Sequence, residues 1–338
     1  MNAYRSAALL AVFLCSAAVP GCVADFQPGD EHFFVEHEGA SMPVWVTGNW
    51  RSNRILLHVH GGPGTTNGIY FQKESYARLA DEFGIAYWEQ RASGTSLGHH
   101  RGILTVEQYV EDLDRVVTVL EHRYPDAEFV LMGHSWGGFL TASYLLDPVR
   151  QARFRGWIVQ DGAIDVSCAR LNLARDFVLE RGVPGAAEFY ASRWICDPVT
   201  NENNQIEIHL QHSLYVRAAG GYDVRPERVL SGDETNELLF ASQFDLIGVT
   251  QNAPLPIRDY YGRNLIPELS AVTIPSLVLW GTHDIITHHS QAMEVFDGLG
   301  ASRRRIVLFE DSGHNPWAEQ PEAFHEAVAS FLREEVWP

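Results

Sequence analysis

Ser135, Asp284 and His314 are the three residue types that together can make an alcohol react with a carbonyl. A serine hydroxyl is a poor nucleophile at its own pKa. An imidazole must take its proton, and a carboxylate must hold that imidazole in one tautomer and balance the charge it acquires. Ser135 sits at the centre of Gly133-His134-Ser135-Trp136-Gly137, a G-x-S-x-G pattern whose small residues let a strand and a helix approach closely at a sharp turn. The start of the following helix favours developing negative charge. The chemistry such a set supports is acyl transfer. Read alone, the same five residues are also a glycine-rich turn whose serine caps a helix, so the neighbouring elements must decide.

Those elements agree with the catalytic reading. Glu128-Phe-Val-Leu-Met132 is a short apolar run suited to a buried strand, and Phe139 to Leu146 has the composition of a helix. Arg54 to His60 is a second buried strand that runs into His60-Gly61-Gly62-Pro63-Gly64. There, backbone N–H groups can face a ligand, as an oxyanion hole requires. Ile85 to Trp88 leads into Glu89-Gln90-Arg91-Ala92-Ser93-Gly94-Thr95-Ser96, and Thr105 to Tyr124 reads as a long amphipathic helix. Gly156 to Gln160 ends at Asp161 and Asp165, Pro275 to Trp280 ends at Asp284, and Arg305 to Phe309 ends at His314. Strands alternating with helices predict a mostly parallel central sheet flanked by helices, and sites in such sheets collect at the carboxyl ends of the strands. The order Ser, Asp, His suits this architecture. Asp161 and Asp165 compete for the acid role, and Asp284 is preferred.

The first and last parts of this α/β unit, 25–165 and 267–338, are separated by a stretch of different character. From 166 to 266 helical runs alternate with polar loops and no long buried strand appears, which predicts an inserted α-helical cap. With 25 basic against 43 acidic residues, the surface field repels phosphate backbones, so nucleic acid is not an expected partner. His58 and His60 alternate on one strand, and the pairs His99-His100 and His288-His289 lack a ligand arrangement. No metal and no other cofactor is expected.

Residues 1–24 read as a signal peptide: Arg5, an apolar stretch from Ala7 to Val19 too short to span a membrane, then small residues. Val19-Pro20-Gly21-Cys22 is similar to a lipobox, which would place a lipid anchor on Cys22. Ordinary cleavage before Asp25 is the alternative. Either way the sequence predicts export, to the periplasm or as a membrane-anchored lipoprotein, with secretion as the further alternative. An oxidising compartment would permit Cys168 and Cys196 to pair, and two separate buried thiols are the competing expectation.

Taken together, His60-Gly61-Gly62-Pro63-Gly64, the Glu89 to Ser96 run, Gly133 to Gly138, Gly281-Thr282-His283-Asp284 and Gly313-His314 resemble the α/β-hydrolase superfamily, and within it the prolyl iminopeptidase group. The resemblance covers the sheet domain but not the cap. It implies an α/β-hydrolase fold and a serine peptidase or amidase that removes an N-terminal residue, commonly proline, from a short peptide or small-molecule substrate without a metal. Ser135 is then the nucleophile, His314 the base and Asp284 the orienting acid, with the backbone N–H groups of Gly62 and Trp136 as oxyanion hole. In that group acidic cap residues bind the substrate's free amine, and Glu180, Glu188, Glu202 and Glu207 are available here. The chain departs from the group's usual pattern at Glu89, where aspartate is common, at Ala92, where glycine is common, and at His134, where glycine is frequent. Two other readings share these residues: a carboxylesterase or lipase-like enzyme with the same triad, and a non-catalytic binding protein that keeps the scaffold.

Overall fold

A computed structural model describes residues 30–71, 73–98, 104–196, 205–225 and 259–338, with the side chains of 205–207 and 210 outside that set. The leader with Cys22, the pair His99-His100, Glu202 and the side chain of Glu207 therefore lie outside the described residues.

The chain opens with an antiparallel hairpin, β1 (Glu31–His37) and β2 (Ala40–Gly48), as the glycine turn between two apolar runs predicts. β3 (Arg54–Val59), β4 (Gly84–Trp88), the two-residue β5 (Leu97–Gly98), β6 (Glu128–His134), β7 (Gly156–Gln160), β8 (Ser276–Gly281) and β9 (Arg304–Phe309) complete one sheet. Its order is β1-β2-β4-β3-β6-β7-β8-β9, with β5 on β2. β2 pairs antiparallel with β4, and every pairing from β4 through β3, β6, β7, β8 to β9 is parallel. Parallel strands are covered on both faces, so β6 is apolar through its middle: Phe129 and Leu131 join one core cluster, Val130 and Met132 the other.

Helices α1 (Glu74–Glu82), α2 (Val106–Arg123), α3 (Trp136–Leu145) and α4 (Pro148–Gln151) return the chain between strands. α2 starts where the threonine predicts, with Thr105 Oγ1 accepting the Gln108 N–H at 3.2 Å. Between β7 and β8 lie α5 (Cys168–Glu180), α6 (Ala186–Ser192) and α7 (Gln205–Ala218). They share a separate apolar cluster built on Leu171, Val178, Tyr190, Trp194 and Val216, joined by Ile285 from the loop after β8. Cys168 and Cys196 form a disulfide, with Cα atoms 5.6 Å apart, that ties the start of α5 to the segment after α6. After β8 and β9 come α8 (Gln291–Gly298), α9 (Pro316–Glu319) and α10 (Pro321–Phe331). The fold thus brings the ends of β3, β6, β7, β8 and β9 to one edge, carrying Gly61, Ser135, Asp161, Asp284 and His314 respectively.

Candidate active site

Ser135 sits between β6 and α3 with φ 56° and ψ −121°, a left-handed conformation that serine adopts only when its surroundings hold it there. The surroundings are explicit. Its carbonyl accepts N–H bonds from Gly138 and Ala163, both at 2.9 Å, and its own N–H reaches Gln160 O at 3.1 Å. The flanking glycines are steric necessities. A Cβ at Gly133 would lie 2.4 Å from Gly137 O, and one at Gly137 would lie 2.0 Å from Val59 O.

The loop after β3 packs against this turn, since a Cβ on Gly61 would stand 3.1 Å from Ser135 Cβ. Among the described residues neither the Gly62 N–H nor the Trp136 N–H donates a hydrogen bond, so both remain available to a developing oxyanion. Gln90 joins the two halves of this hole. Its Oε1 accepts the Trp136 indole N–H at 2.8 Å, and its Nε2 donates to His60 O at 2.8 Å.

His314 and Asp284 meet directly. His314 Nδ1 is 2.7 Å from Asp284 Oδ2, both side chains being buried, and Asp284 Oδ1 also accepts the Thr287 N–H at 3.1 Å. The Nδ1–H tautomer is therefore fixed, which leaves Nε2 with the lone pair that a base needs. The His314 N–H donates to Tyr222 O at 2.6 Å, and the two rings meet edge to face at 5.0 Å. Among the described residues no hydrogen bond joins the Ser135 hydroxyl to His314. The two loops touch through the adjacent residue, His134, whose ring centroid lies 4.8 Å from that of His314.

His134 is one of the departures noted in the sequence, and it has a defined task. Burial and the neighbouring His314 push its pKa well down, so the ring is neutral. Its Nε2 donates to His314 O at 2.9 Å and its Nδ1 accepts the Tyr70 hydroxyl at 2.6 Å, tying the Ser135 turn to the backbone of His314. His58 and His60 are likewise neutral, pushed to about 3 and about 4 mainly by burial. Each is committed to structure. His58 Nδ1 bonds Asn67 Oδ1 at 2.7 Å, while His60 donates from Nδ1 to Gly61 O and accepts the Gln90 N–H on Nε2.

Three acids compete for His314 in the sequence, and their positions separate them. Asp165 accepts the Ser167 N–H and pairs with Arg170 at 3.2 Å, holding the start of α5. Asp161, at the end of β7, brings an oxygen within 4.8 Å of both Asp284 and His314. Among the described residues this is the one trio of potential metal-ligating groups. Because Asp284 and His314 already bond each other, it reads as a hydrogen-bonded cluster rather than a metal centre. Of the four glutamates, Glu180 and Glu188 are exposed on α5 and α6, and Glu202 and the Glu207 side chain lie outside the described residues.

One buried acid went unassigned in the sequence reading. Glu89 is fully enclosed and accepts the Asn67 N–H, the Thr66 hydroxyl at 2.9 Å and the Thr95 N–H at 3.0 Å, clamping the segment after the Gly62 loop. Burial pushes its carboxyl up to about 7 against those three donors.

The comparisons with known proteins bear on the fold and the family. The chain is 24% identical over 299 residues to the probable aminopeptidase YbaC of Bacillus subtilis, covering 83% of this chain and 89% of the relative. The solved proline iminopeptidase of Mycobacterium smegmatis superposes with a TM-score of 0.61 at 20% identity, covering 90% of this chain and 98% of that one. An esterase from Exiguobacterium antarcticum reaches the same TM-score at 16% identity, with 90% and 100% covered. Residues 54–321 match the model of the alpha/beta hydrolase fold family, and the chain belongs to that family.

Proposed function

We propose that this protein is a serine hydrolase of the aminopeptidase type, cleaving the N-terminal residue from short peptides or amino-acid amides. The observation that carries the reading is the His314–Asp284 pair at 2.7 Å, set beside a serine held in a strained turn with two uncommitted N–H donors next to it. Ser135 Oγ attacks the carbonyl of the N-terminal residue and passes its proton to His314 Nε2. The oxyanion is held by the N–H groups of Gly62 and Trp136. The tetrahedral adduct collapses as His314 returns the proton to the leaving amine. Water then gives its proton to His314, attacks the acyl-enzyme and releases the amino acid and Ser135. The resemblance to the prolyl iminopeptidase group and to YbaC, named a probable aminopeptidase, supports the peptide substrate.

A carboxylesterase using the same residues is the second reading. It is supported by the likeness of this fold to the solved esterase from Exiguobacterium antarcticum. Export is also proposed. The Cys168–Cys196 bond supports it, because such bonds persist in oxidising compartments. A fluorophosphonate probe should label the wild type and spare Ser135→Ala. Turnover of proline or alanine anilides against short p-nitrophenyl esters then separates the two readings, and ester turnover without anilide turnover would remove the aminopeptidase assignment.

A further inference from the structure

Asp161 has features that a bystander at a strand end does not need. It is fully buried, and its backbone is held at φ 43°, a conformation that a non-glycine residue adopts at a cost. Its Oδ1 accepts the N–H of Gly281, the last residue of β8, at 2.9 Å, three residues before Asp284. Its Oδ2 is buried with no donor facing it among the described residues. Its neighbour there is another buried carboxyl group, since oxygens of Asp161 and Asp284 lie within 4.8 Å of each other. Asp284 is already fully engaged as an acceptor, taking bonds from the Thr287 N–H, the Thr287 hydroxyl and His314 Nδ1. Two acceptor-only carboxylates within 4.8 Å of each other, both buried, would repel strongly, and among the described residues no arginine or lysine pairs with either. The conflict is removed if one of the two groups carries a proton.

We propose that Asp161 stays protonated and donates its carboxyl proton to the Asp284 carboxylate, making it a positioning residue for the acid that orients His314. The inference rests on the triad reading given above. The proton belongs on Asp161 because Asp284 already receives three donors that stabilise its charge, whereas Asp161 receives one. Of the other titratable groups near Asp161, Glu319 on α9 acts in the same sense by adding negative charge, Tyr70 is neutral, and His314 is bonded to Asp284 instead. Burial and the Asp284 charge both push the Asp161 carboxyl well above the usual range. Asp161 touches no reacting atom. Its effect is to spread the charge of Asp284 over one more hydrogen bond and to stop that side chain from turning away from the imidazole.

The test is infrared spectroscopy of the intact protein at neutral pH with ¹³C-labelled aspartate, which separates Asp161 from Glu89 and Glu319. The wild type and Ser135→Ala should both show the C=O stretch of a protonated aspartic acid, and Asp161→Asn should lack it. Asparagine can still donate to Asp284 and accept from Gly281, so Asp161→Asn should keep most of kcat. Asp161→Leu should lower kcat about tenfold, rather than raise KM, and move the acidic limb of the pH profile upward as Asp284 loses a donor. Absence of the band from wild type, or its survival in Asp161→Asn, overturns the proposal. So does an Asp161→Asn enzyme as impaired as Asp161→Leu, or an Asp284→Asn enzyme that retains activity while Asp161→Asn loses it. Should Asp161→Leu fail to fold, the band and the Asp161→Asn kinetics still decide. Failure of Ser135 to react with a fluorophosphonate would remove the triad reading while leaving the infrared result to stand on its own.

Discussion

Gln90 holds the indole N–H of Trp136 on one end of its amide and the carbonyl of His60 on the other, each at 2.8 Å. One neutral side chain thereby sets the distance between the two backbone segments that supply the proposed oxyanion donors. Gln90→Leu would leave a buried indole N–H and a buried carbonyl unpaired, each worth about 1–3 kcal/mol of lost stability. It should also lower kcat by about 10²-fold, the scale of losing one oxyanion donor, with a smaller change in KM. Thermal unfolding and steady-state kinetics on the best ester or anilide check both. An unaltered kcat in a folded variant would show that the two segments are held by other contacts.

Glu89 gives the molecule a specific dependence on pH. Its carboxyl is raised from 4.5 to about 7 by burial, so the folded state binds a proton that the unfolded chain releases earlier. A raised acid stabilises the fold most below the unfolded pKa, and that contribution is lost as pH climbs through the folded value. The window therefore runs from about 4.5 to about 7, and the full loss is about 3 kcal/mol, given roughly 1.4 kcal/mol per pH unit. Glu89→Gln has no proton to lose. The stability difference between wild type and Glu89→Gln, from denaturant titrations at several pH values, should shift in favour of the variant across that window and level off above it. A flat difference would mean that Glu89 is ionised throughout.

The fold and the triad candidates were legible in the sequence for one reason. Each of Ser135, Asp284 and His314 lies within a short loop of the end of an apolar run, and strand ends are where a parallel sheet gathers its site. What links those ends was not legible. The Tyr70–His134 bond spans 64 positions and the Glu89–Asn67 bond 22, and neither leaves a local pattern. His134 and Glu89 were visible only as departures from a family motif, a signal that something differed without showing what. Asp161 was visible as a strand-end acid, but its contact with Asp284 depends on how the β7 and β8 loops turn. The cap glutamates were legible in another way: helical spacing shows that a face exists but not which way it points, and Glu180 and Glu188 are exposed to solvent.

The cap carries its own staple. The disulfide between Cys168 and Cys196 closes a loop of sequence separation 28, which in the chain-entropy picture stabilises the ordered state by about 3–4 kcal/mol. Much of that is local to α5 and α6, whose shared cluster includes Leu171, Tyr190 and Trp194. Reduction, or the pair Cys168→Ser and Cys196→Ser, should therefore raise hydrogen exchange over residues 168–196 more than over β6 and α3. An even rise across the whole chain would show that cap and sheet unfold as one unit.

Ala92 takes a φ of 55° at a position where the related group commonly has glycine. An alanine in the left-handed region costs about 1–2 kcal/mol through the clash of its Cβ with the backbone. Glycine removes that strain but loses more entropy on folding, by roughly 0.5–1 kcal/mol. The balance favours the smaller residue, so Ala92→Gly should stabilise the protein by about 0.5–1 kcal/mol. The turn also carries Gln90 and Arg91. Arg91 is bound to the buried Asp112 by two hydrogen bonds of 2.6 Å, so the backbone has little room to relax in any other way. Denaturant midpoints at unchanged m-value measure the effect. A destabilised Ala92→Gly would mean that the methyl group, which packs against the main core cluster, contributes more through contact than the backbone loses through strain.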